Sequence, residues 1–211
     1  MRRPPFTVRP LALSVTLALA SPVVSAADIV ASSVVGTNPA TTYSSDVALT
    51  SANNQINVTD ATSDTKVDAI VSGVVKEQDN TNSTQLIKQG AGTLSLTNNN
   101  TYKGGTDVQA GTLSVARAAS LGDGVVNLAG GSTLETQSST TLTQDITLDG
   151  NVTIKTGGQN AAENITQITS AITEKDKQNG NSSLTKSGAG TLSLTADNAY
   201  NFSQCDSLLI G

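Results

Sequence analysis

Apolar and polar residues alternate in short runs along most of the chain. Gly92-Thr-Leu-Ser-Leu-Thr97 sends Leu94 and Leu96 to one side and Thr93, Ser95 and Thr97 to the other, which is the period-two pattern of a half-buried strand. The same pattern returns in Gly111-Thr-Leu-Ser-Val115 and more loosely in Gly131-Ser-Thr-Leu-Glu-Thr136. Between the runs stand Asn98-Asn-Asn100, Gly104-Gly105, Gly122-Asp-Gly124, Gly130-Gly131 and Gly157-Gly158, residues suited to turns, where positive φ is often needed. Beyond the N-terminal leader no segment shows helical periodicity. The pattern predicts an all-β chain of short strands.

The strands recur at a nearly fixed interval. Apolar residues stand at Val35, Ile56, Val74, Leu94, Leu113, Leu134, Ile154, Ile172 and Leu192. Their spacing stays close to about 20 residues throughout, the length of one coil of a β-solenoid. Stacked coils bury a common apolar column that no single coil buries alone. Eight or nine such coils would make a rod about 40 Å long at the usual strand spacing. A longer repeat is superposed. Leu86-Ile-Lys-Gln-Gly-Ala-Gly-Thr-Leu-Ser-Leu-Thr-Asn-Asn-Asn-Thr-Tyr102 matches the segment Leu184–Tyr200 at most positions, including all of Gly90–Thr97 against Gly188–Thr195. Asp46–Leu49 and Ser72–Val74 resemble Asp145–Leu148 and Ser170–Ile172, so a unit of about a hundred residues is read as duplicated.

Composition changes the picture at three points. Aromatic residues make up only 2% of the chain, so burial must come from Val, Leu, Ile and Ala. Arg2, Arg3 and Arg9, the apolar run Leu11–Ala20 and the small residues Ser21–Ala27 form a secretory leader, predicted at 1–26, with an apolar run too short to span a bilayer. Beyond residue 27 nine cations face 17 acids, a net charge of −8, which disfavours nucleic acid as a partner.

Candidate chemistry is sparse. The chain has no histidine, which excludes Ser-His-Asp and Cys-His catalysis and imidazole metal sites. Cys205 is the one cysteine, so no internal disulfide is expected. Carboxylate chemistry needs two facing acids. Asp123, Glu135, Asp145 and Asp149 are the nearest group in sequence, but they read as turn and surface residues. Gly122-Asp123-Gly124 lacks a calcium-binding repeat, and Gly90-Ala-Gly92 leads into a strand rather than the helix of a phosphate loop. The expectation is no catalytic residue, no cofactor and no metal site. Seven Asn-x-Ser/Thr sequons, at Asn57, Asn82, Asn99, Asn151, Asn164, Asn181 and Asn201, are what a chain rich in these residues carries by composition.

The segment Leu86-x-Lys88-x-Gly90-Ala-Gly-Thr-Leu-Ser-Leu-Thr-x-Asn-Asn-Thr-Tyr102-x-Gly-Gly-Thr-x-Val108-x-Ala-Gly-Thr-Leu113 resembles the passenger-associated transport repeat of bacterial autotransporters. The likeness runs through 86–115 and continues into Ala119–Gly122 and Val126–Leu128, with a second copy at 184–200. It implies a right-handed parallel β-helical passenger with a structural, export-supporting or adhesive role. It also implies display at the surface of a Gram-negative cell, with an outer-membrane translocator barrel as partner and a host-surface or glycan ligand possible. Residues 27–200 are then the passenger segment. After Tyr200 the pattern calls for Gly-Gly-Thr-x-Val, but the chain reads Asn201–Gly211 without it. The expectation is an aberrant tail at 201–211, truncated or frameshifted, with no barrel strands and hence periplasmic residence. Two alternatives stand beside this reading: a complete secreted β-solenoid binding glycans or a host surface, and a carboxylate-dependent polysaccharide-degrading enzyme.

Overall fold

The computed structural model describes residues 29–30, 40–50, 54–60, 66–78, 83–157, 164–176 and 182–198. The leader at 1–26 and the tail at 201–211 lie outside them, as do Val35, Tyr200 and Cys205. The described residues form strands, every pairing parallel, and one short 3-10 turn at Ala118–Leu121. They contain no α-helix.

The chain winds as a parallel β-helix. Each coil visits three positions in order. The first is a seven-stranded sheet, formed by Thr41–Tyr43, Ala69–Val71, Thr93–Leu96, Thr112–Val115, Thr133–Thr136, Asn151–Thr156 and Ser183–Ser187. The third is a six-stranded sheet, formed by Gln55–Asn57, Leu86–Gln89, Thr106–Val108, Val126–Ala129, Ile146–Asp149 and Ile172–Glu174. The second is split into two three-stranded sheets. Ile29–Val30, Val47–Leu49 and Val75–Glu77 make one, and Thr140–Leu142, Ile165–Ile168 and Thr191–Leu194 make the other. Alternation explains the core, because inward residues of all the sheets meet along the axis. Leu94, Leu113, Leu134 and Ile154 stand in register and are fully buried.

The expected coil length holds only in the middle. There Thr93 pairs Thr112, Thr112 pairs Thr133, and Thr133 pairs Thr153, each step close to the expected period. Toward the N-terminal side the coils are longer, since Thr41 pairs Ala69 and Gln55 pairs Ile87. Toward the C-terminal side they lengthen again, with Val152 paired to Leu184. In sequence the extra residues fall between the paired strands, and added chain length there costs little. The expected column of nine apolar residues is therefore corrected. Ala69 stands beneath Leu94, and Lys186 follows Ile154. Ile56 and Ile172 lie in the third sheet, Leu192 lies in the second position, and Val74 precedes the strand Val75–Glu77. An even spacing of apolar residues is compatible with several columns at once, since each coil contributes inward residues from three strands.

Candidate functional site

The first copy of the repeat builds a corner between the third sheet and the first. Leu86 and Lys88 both point inward in the strand Leu86–Gln89, as period two requires, and both are fully buried. Lys88 is paired with Ile56 of the coil before and Val108 of the coil after. A buried ammonium is tolerated only when its donors are used. Its Nζ donates to the carbonyls of Gln89 at 2.9 Å, Gly90 at 2.8 Å and Ala110 at 3.0 Å. Burial pulls the Lys88 pKa down to about 8, and the nearby Asp68 carboxylate opposes that fall. Asp68 is itself buried, and its Oδ2 accepts the Thr93 N–H at 2.7 Å. The turn between Lys88 and Thr93 is thus held by a cation on its carbonyls and an anion on its amide.

The glycines of this corner have a packing reason. Gly90 has φ 78°, and a Cβ there would lie 2.2 Å from the Val58 carbonyl oxygen. That same oxygen accepts the Gly92 N–H at 2.9 Å.

The rest of the motif fills the second position, where residues 97–105 contribute no strand. Asn100 takes the strand's place. Its Oδ1 accepts the Val75 N–H at 2.8 Å and its Nδ2 donates to the Ser120 carbonyl at 2.6 Å, so one side chain joins the coils below and above. Glu77 Oε1 accepts the Thr84 and Lys103 N–H groups at 2.9 and 3.0 Å. Tyr102 is fully buried, with its hydroxyl 2.6 Å from Thr106 Oγ1. Burial raises its pKa and keeps the phenol neutral. The sequence marks Asn100 and Tyr102 as repeat members without assigning them roles. The alternation Leu86-x-Lys88 is the one signal that places a lysine on the apolar side.

Outside, like residues stack from coil to coil. Thr93, Thr112, Thr133, Thr153 and Thr185 form one in-register column on the first sheet. Gln137 Nε2 spans Ser95 Oγ and Ser114 Oγ at 2.8 and 3.0 Å. Gln89 Nε2 donates to Gln109 Oε1 at 2.9 Å. The ion pairs Asp46–Lys76, Glu135–Lys155 and Asp149–Lys175 each bridge adjacent coils at 2.6 to 2.9 Å.

Comparison with known proteins agrees with this geometry. The family model of the passenger-associated transport repeat matches residues 86–115 and 184–201. The adhesin BmaC autotransporter of Brucella suis biovar 1 (strain 1330) is 36% identical over 126 residues, 57% of this chain and 3% of that protein. The chain therefore carries passenger-associated transport repeats and is similar to an autotransporter passenger segment. It spans a small fraction of the length of that relative. No solved structure matches it.

Among the candidate acids, Glu135 and Asp149 stand on separate sheets. Glu135 lies on the first sheet, bound to Lys155, and Asp149 lies on the third, bound to Lys175. Asp123 and Asp145 are exposed turn residues preceding strands of the third sheet. Gly122 and Gly124, with φ 64° and 91°, make the Asp123 segment a turn. Among the described residues no group of three or more His, Cys, Asp or Glu side chains is arranged to hold a metal.

Proposed function

We propose that this segment is exported through the inner membrane by a leader at 1–26 and serves at the cell surface as a non-catalytic structural or adhesive element, with residues 27–200 as the passenger proper. Its repeats support export, and an outer-membrane translocator barrel is the partner. The observation that carries this reading is the transport repeat at 86–115, built without interruption into a parallel β-helix. The relative's description as an adhesin supports the adhesive part. The acid placement supports a passenger without hydrolytic chemistry, since Glu135 and Asp149 are each engaged by a lysine on separate sheets.

The test is display. Residues 1–200 fused ahead of a translocator barrel should become accessible to added protease on intact cells, and the cells should gain adherence to host epithelium or to immobilised glycan. Gly90→Val should lower the displayed amount severalfold, because the corner has no room for a side chain. Equal display with the repeat broken would remove the export-supporting role, and unchanged adherence would remove the adhesive one. Uronate polymers should be left intact, and turnover that is lost in Glu135→Gln would instead establish a carboxylate enzyme.

A further inference from the structure

The two repeat copies occupy different corners of the β-helix. In the first copy, Leu86–Gln89 belongs to the third sheet and Thr93–Leu96 to the first. In the second, Ser183–Ser187 belongs to the first sheet and Thr191–Leu194 to the second position. The offset between the copies is therefore four coils and one further face, and the helix itself does not superpose them.

Their corners nevertheless close in the same way. Lys88 Nζ donates to the Gly90 carbonyl at 2.8 Å, and Lys186 Nζ to the Gly188 carbonyl at 2.7 Å. Gly90 and Gly188 have φ 78° and 79°. A Cβ on Gly90 would meet the Val58 carbonyl oxygen at 2.2 Å, and one on Gly188 the Thr156 carbonyl oxygen at 2.3 Å. Those oxygens accept the Gly92 and Gly190 N–H groups at 2.9 and 3.2 Å. The surrounding sheets differ, so the common geometry comes from the local sequence. The first corner adds the bond from Lys88 to Ala110 in the coil above, and there the lysine is sealed from water.

We propose that Lys-x-Gly-Ala-Gly is a face-independent corner lock, whose lysine ammonium closes its own turn and then serves as the docking point of the next coil. The Gln89 and Gly90 carbonyls adjoin the lysine in the chain, so they are available before any coil stacks upon it. The third carbonyl is supplied only by stacking. The repeat thereby sets where the following coil sits, whichever face it starts from, and this holds whatever the passenger adheres to.

Native-state hydrogen exchange on the whole chain tests it. The Gln109 and Thr112 amides donate to the Lys88 and Gly92 carbonyls. Lys88→Met should speed their exchange at least tenfold while leaving amides of the Asn151–Thr156 strand unchanged, and Lys186→Met should affect Gly190 and Thr191 instead. Ile87→Thr with Gln89→Ser gives the first corner the sequence of the second, and should change the Gln109 and Thr112 rates less than threefold. Wild-type rates in Lys88→Met, a uniform acceleration along the rod, or loss of protection in the double variant would each overturn the lock. Should Lys88→Met not fold, amine labelling of the wild-type chain in rising denaturant decides. Lys88 should become reactive in the same step as exchange of Gln109 and Thr112, and labelling that precedes this step refutes docking.

Discussion

Lys88 stands in a column whose other inward members include Ile56, Val108, Leu128 and Leu148. Its folded pKa of about 8 lies below the ordinary 10.5 because burial outweighs the opposing Asp68 charge. Well below pH 8 the lysine is protonated in both folded and unfolded chains, so there it adds no pH dependence. Between about 8 and 10.5 the unfolded chain holds more protons, and linkage then makes stability rise with pH. The difference between wild type and Lys88→Met in urea unfolding should show that rise across pH 8 to 10.5 and be nearly flat from about pH 5.5 to 6.5. Tyr102 makes a different kind of contribution, filling space where the coil has no second strand. Tyr102→Ala should cost about 4 kcal/mol in urea denaturation, as expected for a large buried aromatic side chain. The sequence displays both residues as repeat members, and alternation puts Lys88 inward. It does not display their partners, because the carbonyl of Ala110 comes near Lys88 only after winding, and the contact of Tyr102 with Thr106 depends on how the intervening turn closes.

Among the elements, the strands were legible and their grouping was not. Gly-Thr-Leu-Ser-Leu predicts the strand Thr93–Leu96 directly, since alternation and flanking glycines are local properties. The missing second strand of the same coil was not foreseen. Asn98-Asn-Asn100 reads as a turn, yet Asn100 does the cross-coil bonding of a strand, through Val75 below and Ser120 above. Asn100→Ala leaves a buried amide N–H and a buried carbonyl without these partners. It should cost about 3 kcal/mol, and Asn100→Asp, which keeps the acceptor for Val75, should cost less. Equilibrium unfolding of the two variants orders them. The surface ion pairs carry less weight. Glu135→Gln should shift stability by about 0.5 kcal/mol, in keeping with a partly exposed pair.

On the scale of the whole molecule, each coil touches chiefly its neighbours, so register rather than length governs tolerance to change. Deleting residues 133–152, one full coil, sets Thr153 upon Thr112 with its inward residues still inward. That variant should unfold cooperatively, with a urea m-value reduced in proportion to the surface lost. Removing residues 133–142 instead shifts one sheet against another and should abolish the transition. The same logic accounts for the uneven coils. The coils that join Gln55 to Ile87 and Val152 to Leu184 are longer, yet their strands keep parallel pairing with their neighbours, because the paired strands carry the register.

The sequence by itself determined that the chain is all-β, wound as stacked parallel strands, and built with transport repeats of the passenger kind. Strand alternation, turn glycines and a motif at fixed spacing are properties of residues close in the chain, so they can be read in order. Only the tertiary structure decided which apolar residues share a column, that the two copies sit on different faces, and that Lys88 and Asn100 join neighbouring coils. Those facts depend on how many residues each corner absorbs. That number varies from coil to coil, and it becomes visible only when one coil is laid upon the next.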